Sequence, residues 1–120
     1  MKKRAGFTML EIVLAVATIS ILAGIGIPVY QSFQTRNDLD LAATIVAQTM
    51  RRAQFLAEAV DGDTNWGVHV QSGSTTLFKG TSYAARDTVF DEVFDIPSTI
   101  VSSGLVEIVF GKFTGLPQTT

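Results

Sequence analysis

Glu11 is the residue whose placement first demands a chemical explanation. It is the one acidic or basic side chain between Phe7 and Tyr30, inside an otherwise apolar run. Twenty-four helical residues span about 36 Å, enough to cross a hydrocarbon core of about 30 Å with some tilt. The run holds twelve large aliphatic or Phe side chains, each favouring insertion by roughly 0.3–0.6 kcal/mol. A lone acid costs about 2.5–3.5 kcal/mol at the helix centre and less near an end. The segment therefore partitions into a bilayer despite Glu11. A carboxylate there needs a partner, or a route to the interface by snorkelling.

Few other residues offer chemistry. His69 is the single histidine and the chain has no cysteine. Ser72, Ser74 and nearby aspartates accompany His69, but no nucleophile elbow, phosphate loop or metal-ligand pair does. Strand alternation predicts a solvent-facing His69. Asp61, Asp63 and Asn65 have the alternating oxygens that begin a calcium loop. The loop glycine is misplaced, however, and Ser72 stands where a bidentate glutamate is required, so a solvated turn is expected. Asp87, Asp91, Glu92 and Asp95 form an acidic run, expected to be a solvated face. No catalytic residue, cofactor or metal site is predicted.

Charge distribution says more than the net value of −2. Lys2, Lys3 and Arg4 are three of nine cations, leaving six against eleven acids downstream, a balance of −5. Such a body argues against nucleic acid as main ligand. Basic residues ahead of a first apolar segment hold that end in the cytoplasm and place the body outside. A secretory signal has a shorter apolar core and a small-x-small cleavage site. This run is longer, contains an acid and is interrupted late by Gly24, Gly26 and Pro28.

The order Lys-Lys-Arg-Ala-Gly followed by Phe-Thr-Met-Leu-Glu, residues 2–11, resembles the prepilin signal of type IV pilins and type II secretion pseudopilins. The resemblance implies cleavage by a prepilin peptidase after Gly6, with methylation of the new amine on Phe7. The family's key acid maps onto Glu11 and its helix-disturbing proline onto Pro28. Glu11 of one subunit would then meet the Phe7 amine of another. Such a pair fixes register more than it adds net stability, and a head-to-flank contact repeats into an open filament. The implied partners are copies of the chain and other pilin-like subunits, the peptidase, an inner-membrane assembly platform, and lipid before assembly. The implied location is the bacterial inner membrane, single-pass with a cytoplasmic N-terminus, and then a periplasmic or extracellular filament. A pilus and a secretion pseudopilus both remain open, as does a non-polymerising membrane-anchored binding domain.

The elements that position these residues follow from periodicity. Pro28 costs a helix about 3 kcal/mol and each nearby glycine up to ~1 kcal/mol. Residues 20–28 are thus weakly held, either as a kink or as a segment that unwinds in a fibre. The helix resumes after Pro28, with a bend or membrane exit near Asn37 and Asp38. Leu39, Ala42, Ala43, Val46, Met50, Ala53, Ala57 and Val60 then recur at three- and four-residue steps as one apolar face. From Trp66 the period becomes two. A hairpin is predicted across Ser72-Gly73-Ser74, an edge strand over 89–96, and strands over 99–102 and 105–110. Gly80 to Arg86 reads as a polar loop.

The fold class is α+β, a long N-terminal helix with a membrane half and an amphipathic half, packed on a small antiparallel sheet. The expected divisions are a leader at 1–6, a transmembrane or filament-core helix at 7–30, an amphipathic helix at 31–61 and a β-rich head at 62–120. Trp-Gly-Val-His-Val at 66–70, Leu-Phe-Lys-Gly at 77–80, Asp-Ile-Pro-Ser at 95–98 and Phe-x-x-Phe-Thr-Gly-x-Pro at 110–117 are similar to the head of H-type minor pseudopilins. That head continues with a further hairpin, whereas this sequence reaches polar Thr119-Thr120. A smaller or C-terminally incomplete sheet, without a closing strand, is expected.

Overall fold

The computed structural model describes residues 6–118. It contains α1 (Met9–Glu58), a 3-10 turn (Asp61–Asp63), and strands β1 (Trp66–Gln71), β2 (Ser74–Lys79), β3 (Asp87–Asp95), β4 (Glu107–Phe110) and β5 (Pro117–Gln118). Two compact units divide the chain, one reaching Thr35 and one beginning at Arg36.

In the first unit every described residue is exposed. Its helix is long and apolar enough to cross a membrane. The hydroxyls of Thr18 and Ser20 donate to the carbonyls of Leu14 and Val16, each at 2.8 Å. Such back-bonding satisfies polar side chains without help from solvent. Helical structure continues through Gly24, Gly26 and Pro28, and through Asn37 and Asp38.

In the second unit, α1 contributes a face of small residues to the sheet. Ala42, Thr49, Ala53 and Ala57 are buried, with Ile45, Val46, Met50 and Leu56 half-buried. Thr49, omitted from the sequence pattern, joins this face because its hydroxyl donates to Ile45 O at 2.8 Å. Leu39 and Ala43, expected on the face, are exposed. The helix ends at Glu58, short of the expected Asp61.

All five strands pair antiparallel in the order β3-β2-β1-β4-β5. The predicted hairpin forms, with Val68 opposite Leu77 and Gly73 at φ 86 in the turn. Trp66, Val68, Leu77 and Phe110 pack with Ala53 and Ala57 to make the core under the helix. The reverse face is also covered, since Phe78 and Val109 are 0 % and 2 % exposed. Gly67 is required there. A Cβ at this position would lie 2.4 Å from Phe78 Cζ and 2.9 Å from the Ile108 carbonyl oxygen.

β3 lies at the sheet edge, where an edge strand was expected over 89–96, and spans Asp87–Asp95. Its register jumps between the Leu77–Glu92 and Lys79–Asp87 pairs, so Phe78 alone opposes Thr88 to Asp91. This large bulge breaks an open ladder that would otherwise invite pairing with another chain. Three expectations need correction. Residues 99–102 form no strand, because that segment runs along α1, where Thr99 donates to Asp38 at 3.2 Å. The strand expected over 105–110 is confined to β4. A closing strand does exist, as β5 places Pro117 opposite Phe110 and Gln118 opposite Val109.

Gly67→Ala is expected to destabilise the second unit by about 1–3 kcal/mol, because the Ile108 carbonyl cannot yield as a side chain can. Leu77→Ala should cost about 2–5 kcal/mol by emptying the core contact. Urea titration of the full-length protein in detergent, followed by Trp66 fluorescence, measures both. Wild-type midpoints in either variant would overturn this packing.

Candidate functional site

The residues singled out at the N-terminus lie where α1 begins. Gly6, Phe7 and Thr8 precede the helix, and Glu11 occupies its first turn. The Thr8 hydroxyl accepts the Glu11 backbone N–H at 3.2 Å, as an N-cap does. Thr8-Met9-Leu10-Glu11 is the spacing of a capping box, a signal that reading Glu11 as an isolated acid overlooked. The carboxylate also sits near the positive end of the helix dipole, a contribution of about 0.3–1 kcal/mol. That offsets only part of the roughly 2.5–3.5 kcal/mol quoted for an acid at the centre of a membrane helix. Phe7 and Glu11 are exposed. Lys2, Lys3 and Arg4 lie outside the described residues.

A second group of ionisable residues assembles on the sheet face away from the helix. His69 and Glu107 are cross-strand partners on β1 and β4. The 80–86 segment folds over them. Tyr83 stacks on His69 with centroids 3.9 Å apart and meets the edge of Phe78 at 5.7 Å. The Arg86 guanidinium lies 3.8 Å from the Tyr83 centroid and bonds Asp91 at 2.7 Å and the Tyr83 carbonyl at 2.7 Å. The Tyr83 N–H donates to Glu107 at 2.8 Å. The hydrogen bond that Arg86 donates to Asp91 is the main cause holding the Arg86 pKa above its ordinary value.

His69 is therefore half-buried beneath an aromatic ring, not solvent-facing as alternation implied. Period two gives the correct face but not what covers it. The covering residue was hidden in a loop whose polar composition suggested solvent. The acidic run is corrected too: Asp91 is held by Arg86, and Glu92 bonds Arg52 on the helix at 2.7 Å. The second pair is largely exposed and contributes at most about 1 kcal/mol. Arg86 is thus committed to internal contacts, and the cluster functions as a clasp holding the 80–86 segment to the sheet.

The third group joins the end of α1 to the last strands. Asp63 takes Lys112 Nζ at 3.1 Å, and Asn65 Oδ1 accepts the Lys112 N–H at 3.0 Å. Asn65 Nδ2 donates to Gln118 at 3.2 Å, while the Asp61 carbonyl accepts Trp66 Nε1 at 2.9 Å. Two of the side chains that suggested a calcium loop, Asp63 and Asn65, thus serve as a joint between the 61–65 turn and the loop after β4. Among the described residues, no group of three or more His, Asp or Glu is placed to hold a metal.

Comparison with known proteins adds one kind of information. No family model matches the chain, and no solved structure does. Two fimbrial proteins of Pseudomonas aeruginosa are each 39% identical to it over 108 residues. The aligned region is 90% of this chain and 60% of each relative, so the chain spans about three-fifths of their length. The chain, with its α+β layout of one long N-terminal helix on a five-stranded antiparallel sheet, is thus similar to these fimbrial proteins over most of its own length.

Proposed function

We propose that this protein is a structural subunit of a pilus or secretion pseudopilus, cleaved after Gly6, methylated on Phe7 and polymerised through α1. The observation that carries the reading is the first unit, whose apolar surface is exposed over its whole described length. Among the described residues nothing covers side chains such as Leu10, Ile19 and Ile25, which are 72 %, 66 % and 62 % exposed. At about 25 cal/mol per Å² of apolar area, so much uncovered surface requires lipid, other copies of itself, or first one and then the other.

Glu11 decides between storage and assembly. In lipid its carboxylate is a net cost that capping and the helix dipole reduce but do not remove. Cleavage after Gly6 creates a cation at Phe7, a few residues from the acid. Within one subunit both groups lie at the same helix end. A neighbour displaced along the axis by about one turn, roughly 6 Å, brings its Phe7 amine level with this Glu11. A desolvated pair of that kind is tolerated where a lone charge is penalised by about 3–5 kcal/mol. The proposed parts are then a leader at 1–6, a membrane and fibre-core segment at 7–30, a spine at 31–61 and a β-rich head at 62–120. The similarity to fimbrial proteins supports the subunit role.

Mass spectrometry of the mature N-terminus is expected to give methylated Phe7. An intact leader at Met1 on membrane-embedded protein would instead make it an anchored domain that never polymerises. Glu11→Val is expected to preserve membrane insertion and cleavage while lowering sheared fibre at least about ten-fold, the equivalent of 1.4 kcal/mol. Wild-type fibre yield in that variant would remove the pairing from the mechanism.

A further inference from the structure

Ala23, Gly26, Ile27, Tyr30, Gln31 and Gln34 recur at three- and one-residue steps along one face of α1 in the first unit. They line a shallow recess with a volume of about 440 Å³. Gly26 opens it. A Cβ at that position would meet nothing within 4 Å, so the missing side chain leaves free space beside its neighbours. The lining changes character along the helix axis. Its first three residues are aliphatic or glycine, and its last three carry a hydroxyl or a carboxamide. All six are exposed, Ile27 at 62 % and Tyr30 at 70 %.

The polar end differs from the hydroxyls deeper in the run. Thr18 and Ser20 are bonded to their own helix. Among the described residues, the Tyr30 hydroxyl and the carboxamides of Gln31 and Gln34 have no side-chain hydrogen bond. Such groups are penalised in hydrocarbon and are satisfied only by partners outside the helix. From Met9 to Tyr30 a helix rises about 32 Å, so the polar end falls where a hydrocarbon core of about 30 Å gives way to headgroups. Tyrosine favours that boundary, with its ring on the apolar side and its hydroxyl in the wet layer.

We infer that this recess seats one phospholipid of the leaflet in which the apolar run ends. The upper part of an acyl chain lies against Ala23, Gly26 and Ile27. Tyr30, Gln31 and Gln34 meet the ester and glycerol region. The hydroxyl and the carboxamide N–H groups donate to ester carbonyl and phosphate oxygens. None of the six residues is charged, so the seat reads oxygens that all phospholipids share and not the charge of the headgroup. The inference rests on the membrane half of the reading above and concerns the stored subunit, before any fibre forms.

The full-length chain is reconstituted in vesicles of phosphatidylethanolamine and phosphatidylglycerol, brominated near either the carbonyl end or the methyl end of the acyl chains. Trp66, buried in the core of the sheet, supplies an unquenched background. Tyr30→Trp is expected to add emission quenched about two-fold more by carbonyl-end than by methyl-end bromine, and Ile19→Trp to show the reverse order. Gly26→Leu combined with Tyr30→Trp fills the recess and should roughly halve the carbonyl-end quenching, whereas Gly26→Ala, adding one methyl, should retain most of it. Undiminished quenching in the Gly26→Leu variant would overturn the seat. A methyl-end preference at Tyr30→Trp would overturn its depth. Both results leave membrane storage standing while Ile19→Trp is quenched from the methyl end. Absence of quenching at either introduced indole would overturn the membrane reading together with this inference.

Discussion

The structure of the head depends on how closely a helix can approach a sheet. At Ala53 and Ala57 the helix presents only methyl groups, and both residues are completely buried. That approach lets Trp66, Val68, Leu77 and Phe110 pack on the two alanines, with Met50 and Leu56 of the helix packed against the same cluster. Interiors packed at crystal-like density have no tolerance for even a methylene at such a point. The remaining features follow from this contact. The end of the helix has to be closed by a loop from the far side of the sheet, and the strained Val60 and Phe113 conformations lie at that closure.

The reverse face of the sheet solves a different problem. A small domain has little core, and a five-stranded sheet covered on one side only would leave Phe78 and Val109 wet. The 80–86 segment covers Phe78 with the Tyr83 ring, which also stacks on His69, and a half-buried ion pair holds the segment in place. Asp91 belongs to the β3 bulge, so the same irregularity that blunts the sheet edge also positions the acid that holds Arg86. Edge protection and face coverage thus share a residue.

How much of this was legible depended on the range of each interaction. The membrane-length run, the amphipathic half of α1, the 72–74 turn and the β1–β2 hairpin are local patterns of period 3.6 or two, and the sequence carries them openly. Thr49 escaped because a threonine counts as polar until its hydroxyl is seen bonded to its own helix. The environment of His69 was set by Tyr83, fourteen residues away, and no periodicity links a strand residue to a loop ring. The segment 99–102 had strand-forming residues but no neighbour offering a ladder, so the helix took it instead. At the candidate assembly site, charge placement was readable while the Thr8 cap was missed.

The hydroxyls of Thr18 and Ser20 have a consequence for how the helix changes surroundings. Both are bonded to carbonyls one turn back, as is Thr35 at 3.0 Å. A segment whose polar groups are satisfied from within makes no demand on the medium outside it. It can pass from acyl chains to protein neighbours without breaking or forming a hydrogen bond, exchanging one apolar contact for another of similar worth. Transfer between the two phases is then nearly thermoneutral along most of the helix. Under the filament role proposed above, the group that would distinguish them is the carboxylate at its start, and a single charge would then set the direction of travel.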